Sequence, residues 1–308
     1  MKKLLGACLL AAHGAAHSAT ALFDLADRQK RELTVYADND LISPTNTDRY
    51  YTHGLRFELK YPGRKTDYSL IIGQAIYTPA DLTLTADQQP ADSWPYSAWL
   101  YLGVKKESRA SGGQRHSYEI NLGCVGPCAR GEETQRAAHK LFNAVKSKGW
   151  DAQIAQVWGL QLNYRSQLRY RPTSLSSEVA YSPYYGAALG NIFVNAFAGA
   201  EFRSGTQRLD KNGREHTASD TIRSTLFFRV EARWVVHNTL LQGALWDDQS
   251  AHTVAIRHGV IESAVGFVWP MQTYAIGYKL VARSTEVRQH RWSLFRHSYG
   301  QIEFTTQF

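Results

Sequence analysis

Two polar side chains, Gln135 and His139, stand four positions apart in the segment GEETQRAAHKLFNAVKSKGW. Residues at this spacing share one face of an α-helix. An imidazole titrates near neutral pH, so His139 could accept a proton from water or from a hydroxyl group. A polar stripe of this kind is also ordinary on a solvated helix. The pair alone therefore leaves both a chemical role and simple surface exposure open.

A second group of polar residues precedes that segment, in LTVYADNDLISPTNTDRYYTHGLRF. Asn39 and Asp40 end one alternating stretch, and Thr52 opens the next. Asn and Asp favour turns, and Thr is a good strand residue, so a purely structural role is the alternative. Adjacent residues of a straight strand point to opposite faces. Asn39 and Asp40 can therefore serve one site only if the strand ends or bulges there.

The elements that would position these residues are mainly β-strands. In HGLRFELKYP, the apolar residues Leu55, Phe57 and Leu59 alternate with charged ones, and the last segment, GQIEFTTQF, closes on Phe308. Period-two alternation predicts strands. A terminal phenylalanine on such a strand is typical of bacterial outer-membrane barrels, and a closed barrel pairs every backbone group in a bilayer. We expect one all-β, antiparallel transmembrane β-barrel. A soluble sandwich or barrel is the alternative.

One segment, near 132–147, departs from the alternation and predicts an α-helix. It contains no Gly or Pro and is rich in helix-forming residues. Glycines stand on either side of it, as expected where a helix begins and ends. An apolar face beside the Gln135–His139 stripe is expected to pack on the barrel wall; its members are Ala138, Leu141, Phe142 and Val145.

The N-terminus, MKKLLGACLLAAHGAAHSATA, has the pattern of a secretory signal peptide. We assign residues 1–19 to the signal, with cleavage between 18 and 21, and residues 20–308 to the barrel domain. A lipoprotein signal ending at Cys8 is the alternative, but Cys8 lies too close to the N-terminus. No later apolar run reaches 18 residues, so a transmembrane helix is not expected.

Two cysteines, Cys124 and Cys128, remain in the mature chain, in GCVGPCARG. In an oxidising compartment they favour a small structural disulfide. A metal site is the weaker interpretation, because no second Cys or His pair follows at zinc-finger spacing.

The precursor carries a net charge of +8, of which Lys2 and Lys3 of the signal supply two units. A basic exported protein is more naturally a partner of anionic lipid head groups than of nucleic acid. A solvated basic loop surface is the other interpretation. Outer-membrane lipids are therefore the expected partners, and no nucleic acid is expected.

Several stretches together resemble the lipid A 3′-O-deacylase family of outer-membrane enzymes. The resemblance starts with the Asn39–Asp40 pair and an aromatic-Thr-x-Gly motif around Thr52. It continues, in family order, with QAIYTP at 74–79, VGP at 125–127, a Q-x-x-x-H helix and a W-x-x-Q step at 150–153. These stretches cover about the first half of the mature chain. The second half matches only as barrel strands and the terminal phenylalanine.

The resemblance implies a barrel of about twelve strands whose active site lies between its outer face and an extracellular-loop helix. It implies Ca²⁺-dependent hydrolysis of the ester that links the 3′-acyloxyacyl chain to lipid A. Lipid A within lipopolysaccharide would be the substrate, and the site would face the outer leaflet of the outer membrane. We expect the protein to act as a monomer.

The resemblance also implies a role for each candidate residue. His139 would be the general base that activates water. Asp40 and Asn39 would hold Ca²⁺, which prefers hard oxygen ligands, and Asn39 would also orient a neighbouring group in the reaction. Gln135 and Thr52 would orient the water, the base or the ester through hydrogen bonds.

Two other function classes remain open. One is an outer-membrane phospholipase of the serine type, although no Gly-x-Ser-x-Gly motif is present. The other is a small porin or an adhesin without enzymatic activity, in which His139 and Asp40 would be incidental. Calcium dependence combined with resistance to serine-directed fluorophosphonates would argue against the first alternative. Ion conductance in planar bilayers would identify a porin.

Overall fold

The structure, a computed structural model, describes residues 31–43, 50–168, 179–204, 224–246 and 248–308. The predicted signal peptide, at residues 1–19, lies outside the described residues, as does the start of the predicted barrel domain.

The chain forms one closed barrel in which each strand pairs antiparallel with its neighbours in sequence, and β1 closes on β12. The twelve strands are β1 Glu32–Asn39, β2 Tyr50–Tyr61, β3 Thr66–Thr78, β4 Ser97–Arg109, β5 Gln114–Val125, β6 Val157–Leu168, β7 Val179–Gly190, β8 Phe193–Ser204, β9 Thr225–Asn238, β10 Gly259–Pro270, β11 Tyr274–Arg283 and β12 His297–Gln307. The predicted fold class and strand number are confirmed.

The connections that the structure describes in full are short at one end of the barrel and mostly long at the other, where the two-residue turn 191–192 is the exception. The turn end, where β12 finishes, carries the short connections 62–65, 110–113 and 271–273. The loop end carries the long connections 79–96, 126–156, 239–258 and 284–296. In outer-membrane barrels the short turns face the periplasm and the long loops face outside.

The outer and inner walls follow from the alternation along each strand. The outer wall exposes a band of large apolar side chains, among them Leu102, Val104, Ile120, Leu122, Leu160, Leu226, Phe228 and Val265. The inner wall carries charged residues in pairs. Arg56 meets Glu119 at 2.9 Å, and Glu262 accepts from both Arg229 and Arg283 at 2.7 Å. Pairing offsets the desolvation of these charges inside the lumen.

The lumen is closed at the loop end by a buried apolar cluster, the lumen cap. Its members come from strand ends and from three long loops: Tyr50, Trp94, Val235, Leu241, Val254, Ile256, Val260 and Val287. Glu286 lies beside this cap. Burial alone would raise the pKa of Glu286, but Arg283 and His297 hold that pKa below its ordinary value. The carboxylate therefore stays charged and paired under the cap.

Two α-helices lie in the described loops, α1 at Gly131–Phe142 and the single turn α2 at Thr239–Gln242. Short 3-10 turns occupy Ala86–Gln88, Ser111–Gly113, Pro127–Ala129 and Trp150–Ala152. Across the described part of the chain, no helix has the length and apolar character needed to cross a membrane.

Candidate active site

Asn39 is the last residue of β1 and holds the chain where it leaves the strand. Its Oδ1 accepts a hydrogen bond from the Leu41 N–H at 2.8 Å, and its Nδ2 donates to the Thr52 carbonyl at 2.8 Å. The first bond forms the side-chain turn that Asn favours. Strand β1 therefore ends at Asn39, as it must if the side chains of Asn39 and Asp40 are to serve one site.

Residues 40–43, which follow β1, fold over the outer wall of the barrel. Asp40 is fully buried, and its carbonyl accepts from the Ser43 N–H at 3.1 Å. The Ile42 carbonyl accepts from the Tyr278 hydroxyl at 2.8 Å, and Ser43 Oγ donates to Ser298 Oγ at 3.1 Å. Tyr278 and Ser298 alternate with the lumen-facing residues of β11 and β12. This segment therefore lies on the outer face.

Thr52 is the extra residue of a bulge in β2. The pairing of β2 with β3 shifts between Tyr51 and His53, which leaves Thr52 unpaired in the ladder. A bulge of this kind re-aims a side chain. Thr52 Oγ1 lies 2.6 Å from Thr78 Oγ1, the outward-facing hydroxyl at the end of β3, and both residues are buried. Asn39, Asp40, Thr52 and Thr78 form what we call the wall half of the site.

The oxygen atoms of the wall half are suitable ligands for a cation that prefers oxygen. Ca²⁺ binds carboxylates, amide and backbone carbonyls and water. The wall half offers the Asp40 carboxylate, the Asn39 amide and threonine oxygens. No group of three or more His, Cys, Asp or Glu gathers anywhere in the described ranges. A site here would thus combine one carboxylate with neutral oxygens, which fits calcium better than zinc with its His and Cys ligands.

The loop after β5 is fastened to the barrel before α1 begins. The predicted disulfide joins Cys124, near the end of β5, to Cys128 in the following 3-10 turn, with their Cα atoms 6.2 Å apart. Gln74 Nε2, on the outer wall, donates to the Ala129 carbonyl at 2.7 Å. A Cβ added at Gly131 would lie 2.5 Å from the Ala98 side chain. The first turn of α1 therefore lies directly on the outer wall of β3 and β4.

Gln135 is buried at the centre of this loop. Its Oε1 accepts from Ser147 Oγ at 2.6 Å and from Trp150 Nε1 at 2.7 Å. Its Nε2 is buried too and has no hydrogen-bond partner among the described residues. Two donors on the oxygen fix the orientation of the amide. The NH₂ group is consequently held as a buried donor that a ligand or water could use.

His139 lies one turn after Gln135 and is half-buried. Its Nδ1 contacts the carbonyl of Val145. Because a carbonyl can only accept, Nδ1 is the donor in this contact, and Nε2 is the nitrogen left to act on a ligand or water. His139 lines a cavity of about 250 Å³ together with Asn143, Ser147 and Trp150. Gln135, His139, Ser147 and Trp150 form the loop half of the site.

The predicted extent and docking face of α1 need correction. The helix ends at Phe142, not near Ser147, because Asn143 adopts a left-handed conformation with φ 53°. Asparagine tolerates that conformation better than most residues. The predicted apolar docking face is also wrong, since Leu141 is 77 % and Val145 57 % exposed; the side chain of Phe142 lies outside the described part. The helix packs through Gly131 and Gln135 instead.

The structure thus builds two halves from the predicted residues. Asn39 bonds to Thr52 in the wall half, and Gln135 and His139 share the loop half. Strand β3 connects the two halves, because it supplies Thr78 to one and contacts the loop of the other through Gln74.

Sequence reasoning gave no role to Thr78, Ser147 or Trp150. Thr78 and Trp150 do lie inside QAIYTP and the W-x-x-Q step, so those motifs were the available signal. Their roles come from the hydrogen bonds to Thr52 and Gln135.

A larger apolar groove of about 1250 Å³ runs along the outer wall beside the loop half. It begins at the Cys124–Cys128 disulfide and is lined by residues of β3 to β7, including Leu100, Leu122 and Trp158. A lipid chain lying against the barrel could occupy such a groove.

These features define a class: an outer-membrane β-barrel with a capped lumen and a polar site between its outer face and a loop helix. The sequence matches the profile of the family described as "Outer membrane protein LpxR" over residues 4–308, and the chain belongs to that family. The predicted family and the outer-membrane location are confirmed.

Solved structures agree with this assignment. LpxR from Salmonella typhimurium superposes with a TM-score of 0.76 at 25 % identity, over 90 % of this chain and 100 % of that chain. The beta domain of the Bordetella autotransporter BrkA covers 92 % of this chain and 100 % of its own, with a TM-score of 0.47 at 10 % identity, too low to support an inference. No curated protein matches the chain at a significant level.

Proposed function

We propose that the protein is a lipid A deacylase that removes the 3′-linked acyloxyacyl chain by Ca²⁺-dependent ester hydrolysis in the outer leaflet. Membership of the LpxR family and the likeness to Salmonella LpxR support the substrate class. The reaction type is inferred from Gln135 and His139 on α1. There, an imidazole whose Nδ1 contacts the Val145 carbonyl lies one turn from a buried amide NH₂ that has no hydrogen-bond partner among the described residues.

His139 is the base in this proposal. Its Nε2 takes a proton from water while the water oxygen attacks the ester carbonyl carbon. The Nδ1–H contact with the Val145 carbonyl holds the ring and stabilises its protonated form. As the ester C–O bond breaks, the same proton passes from Nε2 to the leaving oxygen. The products are a free acid and a sugar hydroxyl, so atoms and charge balance.

Gln135 supplies a hydrogen-bond donor to the reacting ester or water. A buried donor without a partner costs about 1–3 kcal/mol, and this cost is relieved when a polar atom of the substrate arrives. Donors held in place before the reaction stabilise developing charge effectively. Thr52, fixed by Thr78 and by the Asn39 amide, orients the ester from the wall half.

Asp40 and Asn39 would hold the calcium ion. When bound, Ca²⁺ would supply positive charge that polarises the ester carbonyl. The chain's own contribution is to keep the Asp40 carboxylate buried and the Asn39 amide fixed, so that binding requires little rearrangement.

The lumen cap argues against the porin alternative. A porin needs an aqueous path along its lumen, whereas eight apolar residues close the loop end here and ion pairs cross the interior.

The test is mass spectrometry of lipid A incubated with detergent-folded protein, with Ca²⁺ or with EDTA. The His139→Ala variant is compared with His116→Ala, a change at the turn end. We expect loss of an acyloxyacyl mass only for wild type and His116→Ala, and only with Ca²⁺. Cleavage of phospholipid with lipid A intact would support the phospholipase alternative. No change in either lipid would overturn the enzyme proposal and direct attention to conductance.

A further inference from the structure

The lumen side of the wall half contains a group of residues with no role in the chemistry above. Asp38, the last lumen-facing residue of β1, directly precedes Asn39. Its carboxylate accepts from the Tyr51 hydroxyl at 2.7 Å and from Gln301 Nε2 at 2.5 Å. One side chain therefore joins β2, β1 and β12 at the point where β1 ends.

Tyr51 directly precedes the bulge residue Thr52 and is held on several sides. Its N–H donates to His297 Nε2 at 3.0 Å. The centroid of its ring lies 4.9 Å from that of the Tyr77 ring and 4.7 Å from that of the Tyr299 ring. The lumen side of the bulge is thus fixed, while Thr52 on the outer side meets Asn39 and Thr78.

Gly54 makes room for this arrangement. A Cβ at Gly54 would lie 1.9 Å from the Tyr51 phenol oxygen and 2.9 Å from Asp38 Oδ2. Any larger residue would push the phenol away from the carboxylate. The glycine of the aromatic-Thr-x-Gly motif therefore has a physical reason that involves Tyr51 and Asp38 together.

We propose that Tyr51 and Asp38, with space provided by Gly54, act as a lumen clamp that positions Asn39 and Thr52 on the outer face. Both members of the clamp are positioning residues, because they reach the site only through the neighbouring residues of their strands. The inference rests on the proposed function, which assigns the chemistry of the outer face to Asn39 and Thr52.

The test uses Tyr51→Phe, Asp38→Ala, Asp38→Asn and the double variant Tyr51→Phe/Asp38→Ala. Tyr36→Phe is the matched control, because it removes a phenol hydroxyl from the same face of β1, two residues from Asp38. For Tyr51→Phe and Asp38→Ala we expect kcat to fall about tenfold with KM within about twofold, since a small misplacement of reacting groups slows the chemical step.

The relations between the variants distinguish positioning from general damage. The double variant should be no slower than Asp38→Ala, because both changes remove one interaction. Asp38→Asn keeps an acceptor for the phenol and should remain within about threefold of wild type. Additive losses, equal losses in Tyr36→Phe, or wild-type kinetics of Tyr51→Phe would each overturn the clamp.

Hydrogen exchange gives a readout that does not depend on activity. In Tyr51→Phe and Asp38→Ala, the amides of Leu41 and Tyr51 should exchange faster than in wild type and Tyr36→Phe, because both amides are bonded at this strand end. Unchanged exchange would contradict the inference even if lipid A is cleaved. Faster exchange in a protein that cleaves no lipid A would instead refute the proposed function and leave the clamp as a structural fact.

Discussion

The wall half and the loop half of the candidate site are held in different ways. Asn39 and Thr52 lie near the loop ends of β1 and β2, strands that are each hydrogen-bonded to two neighbours in a closed barrel. Gln135 and His139 belong to a single helix that touches the wall near Gly131. Among the described residues, their side chains form hydrogen bonds to residues 145–150 of the same loop.

This difference separates two tasks. A barrel strand opens only at high free energy, whereas a helix within a loop opens at lower free energy. The wall half is therefore suited to hold an ion and an ester in constant geometry. The loop half is suited to bring a base and a donor onto them. Loss of the proposed calcium ligand Asp40 should therefore alter calcium affinity, and changes in the loop half should alter the rate of the chemical step.

The largest effect is expected for His139→Ala. Loss of a general base costs about 10²- to 10⁴-fold in rate. Calcium affinity, measured by isothermal titration calorimetry, should stay at the wild-type value because the imidazole belongs to the loop half. If the variant binds calcium more weakly, the separation of the two halves is wrong.

Asp40→Asn should give the next largest effect, and the quantity that changes should be calcium affinity. The change keeps the shape of a buried side chain but removes the only charged ligand of the wall half. Ca²⁺ affinity should therefore fall roughly 100-fold. For wild type we expect a dissociation constant on the order of 10⁻⁴ to 10⁻³ M, as for other sites of low ligand charge. Asp81→Asn, on an exposed loop, is the control. Unchanged affinity in Asp40→Asn would remove Asp40 from the metal site.

A smaller effect is expected for Trp150→Phe, which keeps an aromatic ring but removes the N–H that donates to Gln135 Oε1. One hydrogen bond contributes about 1 kcal/mol, so kcat should fall about five- to tenfold while calcium affinity is unchanged. Trp269→Phe, on the lipid-facing wall of β10 and outside the apolar groove, should be neutral. Equal losses in both variants would point to a general requirement for tryptophan and not to the orientation of Gln135.

The smallest effect is expected for replacement of Cys124 and Cys128 by serine. A disulfide across so short a loop stabilises by about 2 kcal/mol at most, and the barrel ladder does not depend on it. The barrel should melt at the wild-type temperature, activity should fall about twofold, and exchange of α1 amides should increase. A large loss of barrel stability would show that the loop half supports the wall, contrary to the comparison above.

Much of the fold could be predicted because its determinants are local. Alternation in segments such as HGLRFELKYP fixes which side chains face lipid, and closure follows from the need to pair every backbone group. The end of α1 could not be placed, because Asn143 is compatible with helix and with a left-handed cap, and only the contacts of the loop decide. The docking face was wrong for a related reason. Leu141 and Val145 form an apolar stripe, but the helix packs by close approach at Gly131.

The candidate site was predictable as a set of residues but not as an arrangement. Asn39, Asp40, Thr52, Gln135 and His139 all came from motifs whose order is visible in the sequence. Thr52 faces outward because of a bulge, and a bulge depends on the pairing register with β3, which no local pattern encodes. The partnership of Gln135 with Trp150 likewise depends on how the loop folds back after α1 ends.

The position of the site on the outside of a capped barrel determines how a ligand reaches it. A lipid of the outer leaflet can reach it by lateral diffusion, without crossing bulk water. The quantity that governs encounter is then the surface density of that molecule among its neighbours in the membrane. Diluting lipid A with inert lipid in mixed vesicles should slow turnover even when its total concentration in the sample is held constant.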